Sequence, residues 1–400
     1  MTAFSVSAGP WLLRPNGCDL ADHRARYGTV PVLDAPALIV ATDAADVRGR
    51  GGAGYPFSAK VRTAVGRKAR HRHVVVNLSE GEPASAKDAA LAVHTPHLVL
   101  DGAALTAQAL QCSEIHLVVP GDRPVVGTAL RRAVAERARA REDHRLTWTV
   151  ATAGARFVSG ESTAVTELIN GRPNLPVSRW TPTAESGVAG RPTVLANAET
   201  FAQVAALVLD PAHVPGPTDE PGTRLLSLTR AGAITVLEVA HRTPWTDVLT
   251  AEEIERPVLL GGYHGTWAPA GALRDLTVSA SQSAAGLPLG AGVVIPLAER
   301  RCPVLVTDRI LHYLARQSAG RCGPCVNGLP ALAQDFSRAA TGRGTLNTPY
   351  WAALVDGRGA CAHPDGTARL ALSAAQVFAE EIALHESGRC SLSTAVAGAR

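Results

Sequence analysis

Lysine is nearly missing from this chain. Of its 39 basic residues only Lys60, Lys68 and Lys87 are lysines, so arginine serves wherever a generic cation will do. A surviving lysine marks a place where a compact ammonium can reach a phosphate or a ring edge that a planar guanidinium would not fit; this flags Lys60 and Lys87. Long apolar runs are also absent: no stretch approaches the ~18 residues of a membrane helix, and the opening MTAFSVSAGPWLL has neither the basic start nor the apolar run of a signal peptide. A cytoplasmic protein with no transmembrane segment is expected. Charge excess is missing too, since 18% of the 400 residues are charged and the formal net charge is +4, which argues against a nucleic-acid partner and against a disordered chain. Cysteine is sparse and odd in number, seven in all. In a long cytosolic chain close pairs of cysteines read as metal ligands or core residues, not disulfides, and Cys18, Cys112, Cys302 and Cys390 read as packing residues.

What is present divides along the chain. From residue 36 to 215, apolar runs such as ALIVAT, HVVVNLS and EIHLVV alternate with helical patterns such as GTALRRAVAERARAR, the signature of an α/β layer structure with a largely parallel sheet. Residues 1–35 form an N-terminal extension. DPAHVPGPTDEPG (210–222) is dense in proline and glycine and reads as a linker. Short runs over 222–300 suggest a small β-rich domain, and 3.6-residue periodicity from 301 to 400 predicts a helical bundle.

Four stretches carry chemistry. VRGRGGAGYPFSAK (47–60) sets Gly49, Gly51, Gly52 and Gly54 around Arg50, followed by Tyr55 and Lys60; such a loop can bring backbone N–H groups against a phosphate or a flat ring, or can be a plain surface turn. VVVNLSEGEPASAKD (74–88) ends a strand in Asn77, Ser79, Glu80 and Glu82, and strand ends are where open α/β sheets bind ligands; the carboxylates suit sugar hydroxyls better than an anion, and a solvated acidic turn is the other reading. AGARFVSGESTAVTEL (153–168) offers Phe157, Gly160 and Glu161, with Ser162 or Thr163 able to cap the following helix. GRPTVLANAETF (190–201) adds Asn197 and Thr200, a ligand contact or a helix start.

In this order the four stretches resemble the flavin-carrying, NADH-binding subunit of respiratory complex I and its relatives in NAD-dependent hydrogenases and formate dehydrogenases. That family shows GRGGAGFP, N-x-D-E-x-E-P, GEET and NNVET, and the resemblance spans roughly residues 36–400. It implies a Rossmann-like FMN and NADH domain, then a ubiquitin-like β-grasp domain of the SLBB type, then a helical iron–sulfur domain. FMN would lie on Gly49, Arg50, Gly51, Gly52, Gly54 and Lys60, helped by Asn77, Asn197 and Thr200. Tyr55 stands where the family has a stacking phenylalanine; Glu82 and Glu161 would accept hydrogen bonds from NADH, and Glu80, Phe157 and Gly160 fall on the same motifs. Ser79, Ser162 and Ala196 replace an aspartate, a glutamate and an asparagine of those motifs.

The family's later S-C-G-x-C-x-x-C motif falls on QSAGRCGPCVNG (317–328), where Ala319 takes the place of the first cysteine. Cys322, Cys325 and the remote Cys361 supply three thiolates toward a 4Fe–4S cluster that normally takes four. Three outcomes stay open: a cluster with an incomplete ligand set, a Cys3His zinc site completed by His363, or an empty turn kept by packing. The implied activity is electron transfer from NAD(P)H through FMN to an iron–sulfur centre or a ferredoxin-like or membrane-bound redox partner, in the cytoplasm or at the edge of a membrane complex. The alternatives are a flavin-binding scaffold or assembly paralogue without turnover, and a nucleotide sensor.

Overall fold

The computed structural model describes residues 4–14, 18–178, 180–210, 222–279, 282 and 285–392; most of the proline-rich linker, 211–221, lies outside them. The described chain falls into two compact units, one running to His241 and the other carrying most of the rest.

The first unit opens with β1 (Phe4–Val6), α1 (Leu20–Tyr27), α2 (Ala35–Ala44), α3 (Phe57–Gly66), β2 (His73–Asn77), α4 (Lys87–His94), α5 (Pro96–Ala109) and β3 (Glu114–Pro120). It continues through α6 (Pro124–Arg139), β4 (Thr147–Ala153), α7 (Ser162–Ile169), β5 (Thr193–Asn197), α8 (Ala198–Leu209), β6 (Thr223–Arg230) and β7 (Ala233–Ala240). Its main sheet is parallel throughout, in the order β4-β3-β2-β5. Alternation across the pleat explains why the runs are apolar without a break: Val74 and Val76 face one side among the residues around α5 and α8, while Val75, Val118 and Leu195 face the other with Val165 and Val188. Burying both faces requires helices on both, and the α/β reading of the sequence is met.

The N-terminal residues are built into this unit. β1 pairs in parallel with β7, and the Glu238 carboxylate on β7 accepts from the N–H groups of Trp11, Leu12 and Leu13 at 3.2, 2.8 and 2.9 Å and from the Thr223 hydroxyl at 2.5 Å. Burial pushes the Glu238 carboxyl up.

The second unit holds α9 (Ala251–Ile254), the strands β8 (Val258–Leu260), β9 (Thr266–Ala268) and β10 (Val293–Pro296), and the helices α10 (Pro303–Arg316), α11 (Leu329–Ala340), α12 (Thr348–Val355), α13 (His363–Val377) and α14 (Ala379–Glu386). β8 pairs antiparallel with β9 and with β10. The Trp267 ring of β9 packs edge-on against Phe378, and the Trp267 backbone N–H donates to the Ser373 hydroxyl of α13. Helix α10 shows the expected stripe, with Val304, Thr307, Ile310, Leu311 and Leu314 buried. By compactness alone, β7 and most of β6 group with the first unit and β8 to β10 with the second, while all five strands belong to a single sheet. No helix among the described residues is long and apolar enough to cross a membrane.

Candidate functional site

The site forms where the order of the parallel sheet reverses. Counting from β2, the chain adds β3 and β4 on one side and then returns to place β5 on the other, so the crevice at the carboxyl ends of β2 and β5 is the switch point at which such sheets bind ligands. The register puts Asn77, the last residue of β2, directly beside Asn197, the last residue of β5.

These two asparagines differ in what remains available. The Asn77 amide is used up locally: Nδ2 donates to the Gly160 carbonyl at 2.8 Å, and Oδ1 accepts from the Ser79 N–H at 3.1 Å and its hydroxyl at 2.5 Å. Ser79, standing where the family carries aspartate, thus fixes the orientation of Asn77. Asn197 Oδ1 caps α8, accepting from the Thr200 N–H at 3.3 Å and hydroxyl at 2.5 Å, which leaves Asn197 Nδ2 buried with no partner. A buried donor without an acceptor costs free energy; it marks where a ligand acceptor fits.

The glycine loop reaches the same place. It is closed at its base by the Gly49 N–H to the Tyr55 carbonyl, 2.9 Å, and Phe57 N–H to Val47, 2.8 Å. Its tip is tied to α8 by the Arg50 N–H donating to Thr200 Oγ1 at 3.1 Å. Gly52 and Gly54 take positive φ, 105° and 60°, which only glycine adopts cheaply. A Cβ at Gly51 or Gly54 would meet nothing within 4 Å, and Gly51, Gly52 and Ala53 are exposed, so the loop forms an open, solvent-facing cradle of backbone. Tyr55 is 53% exposed above it. Lys60, on α3, donates from Nζ to the Leu195 carbonyl of β5 at 2.8 Å, and burial pulls its ammonium down to about 8. Lys60 thus reaches β5, one of the two strands at the switch point.

Lys87, the other flagged lysine, is wholly buried between Asp88 and Glu199, at 3.0 and 3.2 Å, and its charge is spent holding the start of α4 against the start of α8. Burial, opposed by that ammonium, pushes the Asp88 carboxyl up to about 7. The Asp88 carboxylate also accepts the Glu199 N–H at 3.0 Å, so, with the Thr200 N–H taken by Asn197, the first turn of α8 has few free donors.

The acidic residues are largely engaged. Glu80 accepts from the Ser85 hydroxyl at 2.7 Å and the Ala89 N–H at 3.1 Å, with Arg123 at 3.5 Å. Glu161 is the cap of α7, taking the Thr163 and Ala164 N–H groups at 2.8 and 3.1 Å as well as both neighbouring hydroxyls; the expected caps Ser162 and Thr163 are instead donors to it, because a carboxylate outcompetes a hydroxyl for amide hydrogens. Glu82 stays half-buried near its own turn, accepting from the Ala84 N–H at 3.3 Å. A requirement the sequence did not reveal is Gly81: a Cβ there would lie 2.0 Å from the Phe157 carbonyl, and one at Gly160 would lie 2.2 Å from the Ser79 carbonyl. The two loops touch backbone to backbone, which places Phe157, half-buried, beside the acidic turn.

In the second unit, Cys322 and Cys325 sit together on the turn before α11, where one π-helical turn spans Pro324–Gly328. The Ser318 hydroxyl donates to the Cys325 carbonyl at 3.2 Å, and burial pushes the Cys325 thiol up. Ala319 is buried at 9% exposure. Cys361 precedes α13, and the three sulfurs do not all gather within 4.8 Å of one another. His363 is excluded as a fourth ligand, since its ring nitrogens face His264 at 2.9 Å and the Leu314 carbonyl at 3.0 Å. The Cys3His zinc arrangement is thus not built. None of the seven cysteines is in a disulfide.

Comparison with known proteins places these features together. Residues 42–206 match the Nuo51 FMN-binding domain and residues 305–385 the NADH-ubiquinone oxidoreductase-F iron–sulfur binding region. The F subunit of NADH-quinone oxidoreductase from Mycobacterium tuberculosis is 30% identical, with 86% of this chain and 83% of that protein covered. The NADP-reducing hydrogenase subunit HndC of Solidesulfovibrio fructosivorans is 28% identical over 75% of this chain and 65% of its own length. The crystal structure of an NAD+-reducing NiFe hydrogenase in its air-oxidized state superposes with a TM-score of 0.80 at 25% identity, covering 95% of this chain and 67% of that one. With the glycine cradle, the paired strand-end asparagines and the cysteine turn all inside the matched regions, the chain belongs to the family of NADH-quinone oxidoreductase F subunits.

Proposed function

We propose that this chain is an FMN-dependent oxidoreductase that takes electrons from NAD(P)H and hands them toward an iron–sulfur centre or a partner carrier. The observation that carries the reading is the unmatched Asn197 Nδ2 at the sheet's switch point, under a glycine loop whose missing side chains leave a cradle. When bound, FMN supplies hydride acceptance and the release of electrons one at a time. The chain's residues bind and orient: loop N–H groups and Lys60 meet the phosphate, Asn197 donates to a ring or ribityl oxygen, and Tyr55 offers a face for stacking. On the nucleotide side, Glu82 is the carboxylate offered to sugar hydroxyls, while Glu80 and Glu161 hold the loops that carry it and Phe157.

Residues 36–215 carry these contacts in this reading, 222–300 a β-grasp of the SLBB kind and 301–400 the iron–sulfur helices. Cys322, Cys325 and Cys361 would hold three corners of a 4Fe–4S cluster, leaving the fourth iron to a non-thiolate ligand. The quinone- and hydrogenase-linked relatives support a ferredoxin-like or membrane-bound acceptor, reached from the cytoplasmic side. The test is anaerobic reconstitution with FMN, desalting and addition of NADH; a yellow protein that NADH bleaches supports the assignment, and a colourless protein that refuses FMN overturns it. Buried Ala319 favours a second reading, a flavin-binding or assembly paralogue without turnover. Ferricyanide reduction by NADH separates the two, because such a paralogue shows no saturable rate.

A further inference from the structure

Outside the cysteine turn, the second unit gathers four metal-ligand side chains at one point. Cys302 stands just before Pro303 and α10; Glu381 and His385 lie one turn apart on α14; Cys390 follows that helix. One ligand atom of each lies within 4.8 Å of all the others. Cys302 Sγ is 3.2 Å from His385 Nε2 and 3.9 Å from a Glu381 oxygen, and His385 Nε2 is 3.3 Å from that same oxygen. A tetrahedral zinc ion with bonds of about 2.0–2.3 Å has ligand-to-ligand edges of roughly 3.3–3.8 Å, so the observed separations are close to those a single ion requires.

Two further features orient the ligands. His385 Nδ1 donates to the Ala340 carbonyl at 2.6 Å, which fixes the tautomer and turns the Nε2 lone pair toward the cysteines, the arrangement that supports metal-binding histidines elsewhere. Glu381 Oε1 accepts from the Ser391 N–H at 3.1 Å, anchoring the segment that carries Cys390. Among the described residues, the ion-pair partner of Glu381 is His385, at 3.3 Å, and not a lysine or arginine. His385 is fully buried and Cys302 7% exposed.

We propose that Cys302, Glu381, His385 and Cys390 form a structural site for one divalent ion, zinc, separate from the iron–sulfur turn. Four protein ligands leave no open position, so the ion does not react; it ties the residues after α14 to the start of α10 and closes the helical unit. Mixed sulfur, nitrogen and carboxylate donors in tetrahedral reach suit zinc better than harder cations. Binding replaces two thiol protons with the metal and changes no oxidation state.

The test is zinc and iron analysis of the full chain purified without chelators, alongside Cys390→Ser and Cys322→Ser. The expected result is about one zinc per chain, lost in Cys390→Ser and kept in Cys322→Ser. Should Cys390→Ser fail to fold, cobalt titration of chelator-treated wild-type protein stands in: a thiolate-to-cobalt absorption band that disappears after Cys302 and Cys390 are alkylated supports the site. Zinc retained in Cys390→Ser, a Cys302–Cys390 disulfide found by mass spectrometry in freshly purified protein, or cobalt binding without that band would each overturn it.

Discussion

Asn197 accepts with one amide atom and has an unused donor on the other, so two substitutions separate its roles. Asn197→Ala removes the cap of α8 and costs ~1 kcal/mol of stability together with FMN affinity. Asn197→Asp keeps an acceptor for the Thr200 N–H but loses the donor; stability in urea should stay within about 0.5 kcal/mol of wild type while FMN binding, followed by fluorescence quenching, weakens at least ~10-fold. Lys60 gives a pH signature. Its folded value near 8 lies below the unfolded 10.5, so between those values the unfolded chain holds a proton that the folded chain has lost. Apoprotein stability should therefore rise as pH climbs from 8 toward 10.5. FMN affinity should fall over the same range, because the phosphate loses its cation. Lys60→Met should flatten both profiles, and a pH dependence that survives in that variant contradicts the role. At this scale the sequence was informative about type and less so about use: Lys60 and Lys87 are both rare lysines, yet only Lys60 sits at the cradle, since nothing local reveals that Asp88 and Glu199 enclose the other.

Helices α4 and α8 begin at one buried ion cluster, and the element responds as a unit. Lys87→Met leaves Asp88 and Glu199 facing each other without a cation; the expected cost is ~3–5 kcal/mol, seen as a lower urea midpoint, and a neutral result would show that the carboxylates simply take up protons. Strand β2 was legible because its signal is local, HVVVNLS being apolar on both faces as a doubly covered strand must be; ALIVAT (37–42), an apolar run that reads the same way, instead lies inside helix α2, since so short a run fits a helix as well as a strand. The cap of α7 was not legible either, because Glu161, Ser162 and Thr163 are all plausible caps by composition and only the geometry shows the carboxylate taking the amides. Gly81 escaped notice for a related reason, as its constraint comes from the Phe157 carbonyl far away in sequence.

Across the whole molecule, contacts between distant segments are what the sequence conceals. The N-terminal residues read as an extension, yet Glu238 holds three of their N–H groups. Glu238→Ala leaves those buried donors unmatched and should free the first strand, at ~2 kcal/mol or more, detectable as faster hydrogen exchange and proteolysis near residues 4–14. Cys302 and Cys390 read as packing residues because neither neighbours a second ligand in a recognisable spacing; α14 brings Glu381 and His385 to them only once folded. The assignment of the 222–300 strands to compact units was equally invisible, since strand-like runs do not state what they pack with. The central claim is that the cradle at the β2–β5 switch point holds FMN that NADH can reduce, and the most direct measurement is an anaerobic visible-absorption titration of the reconstituted chain beside Gly51→Val, whose Cβ meets open space in the loop. The account predicts a flavin band at one FMN per wild-type chain, bleached by NADH, and a colourless Gly51→Val protein with unchanged unfolding; equal FMN retention in both, or a wild-type flavin band that NADH leaves intact, would contradict it.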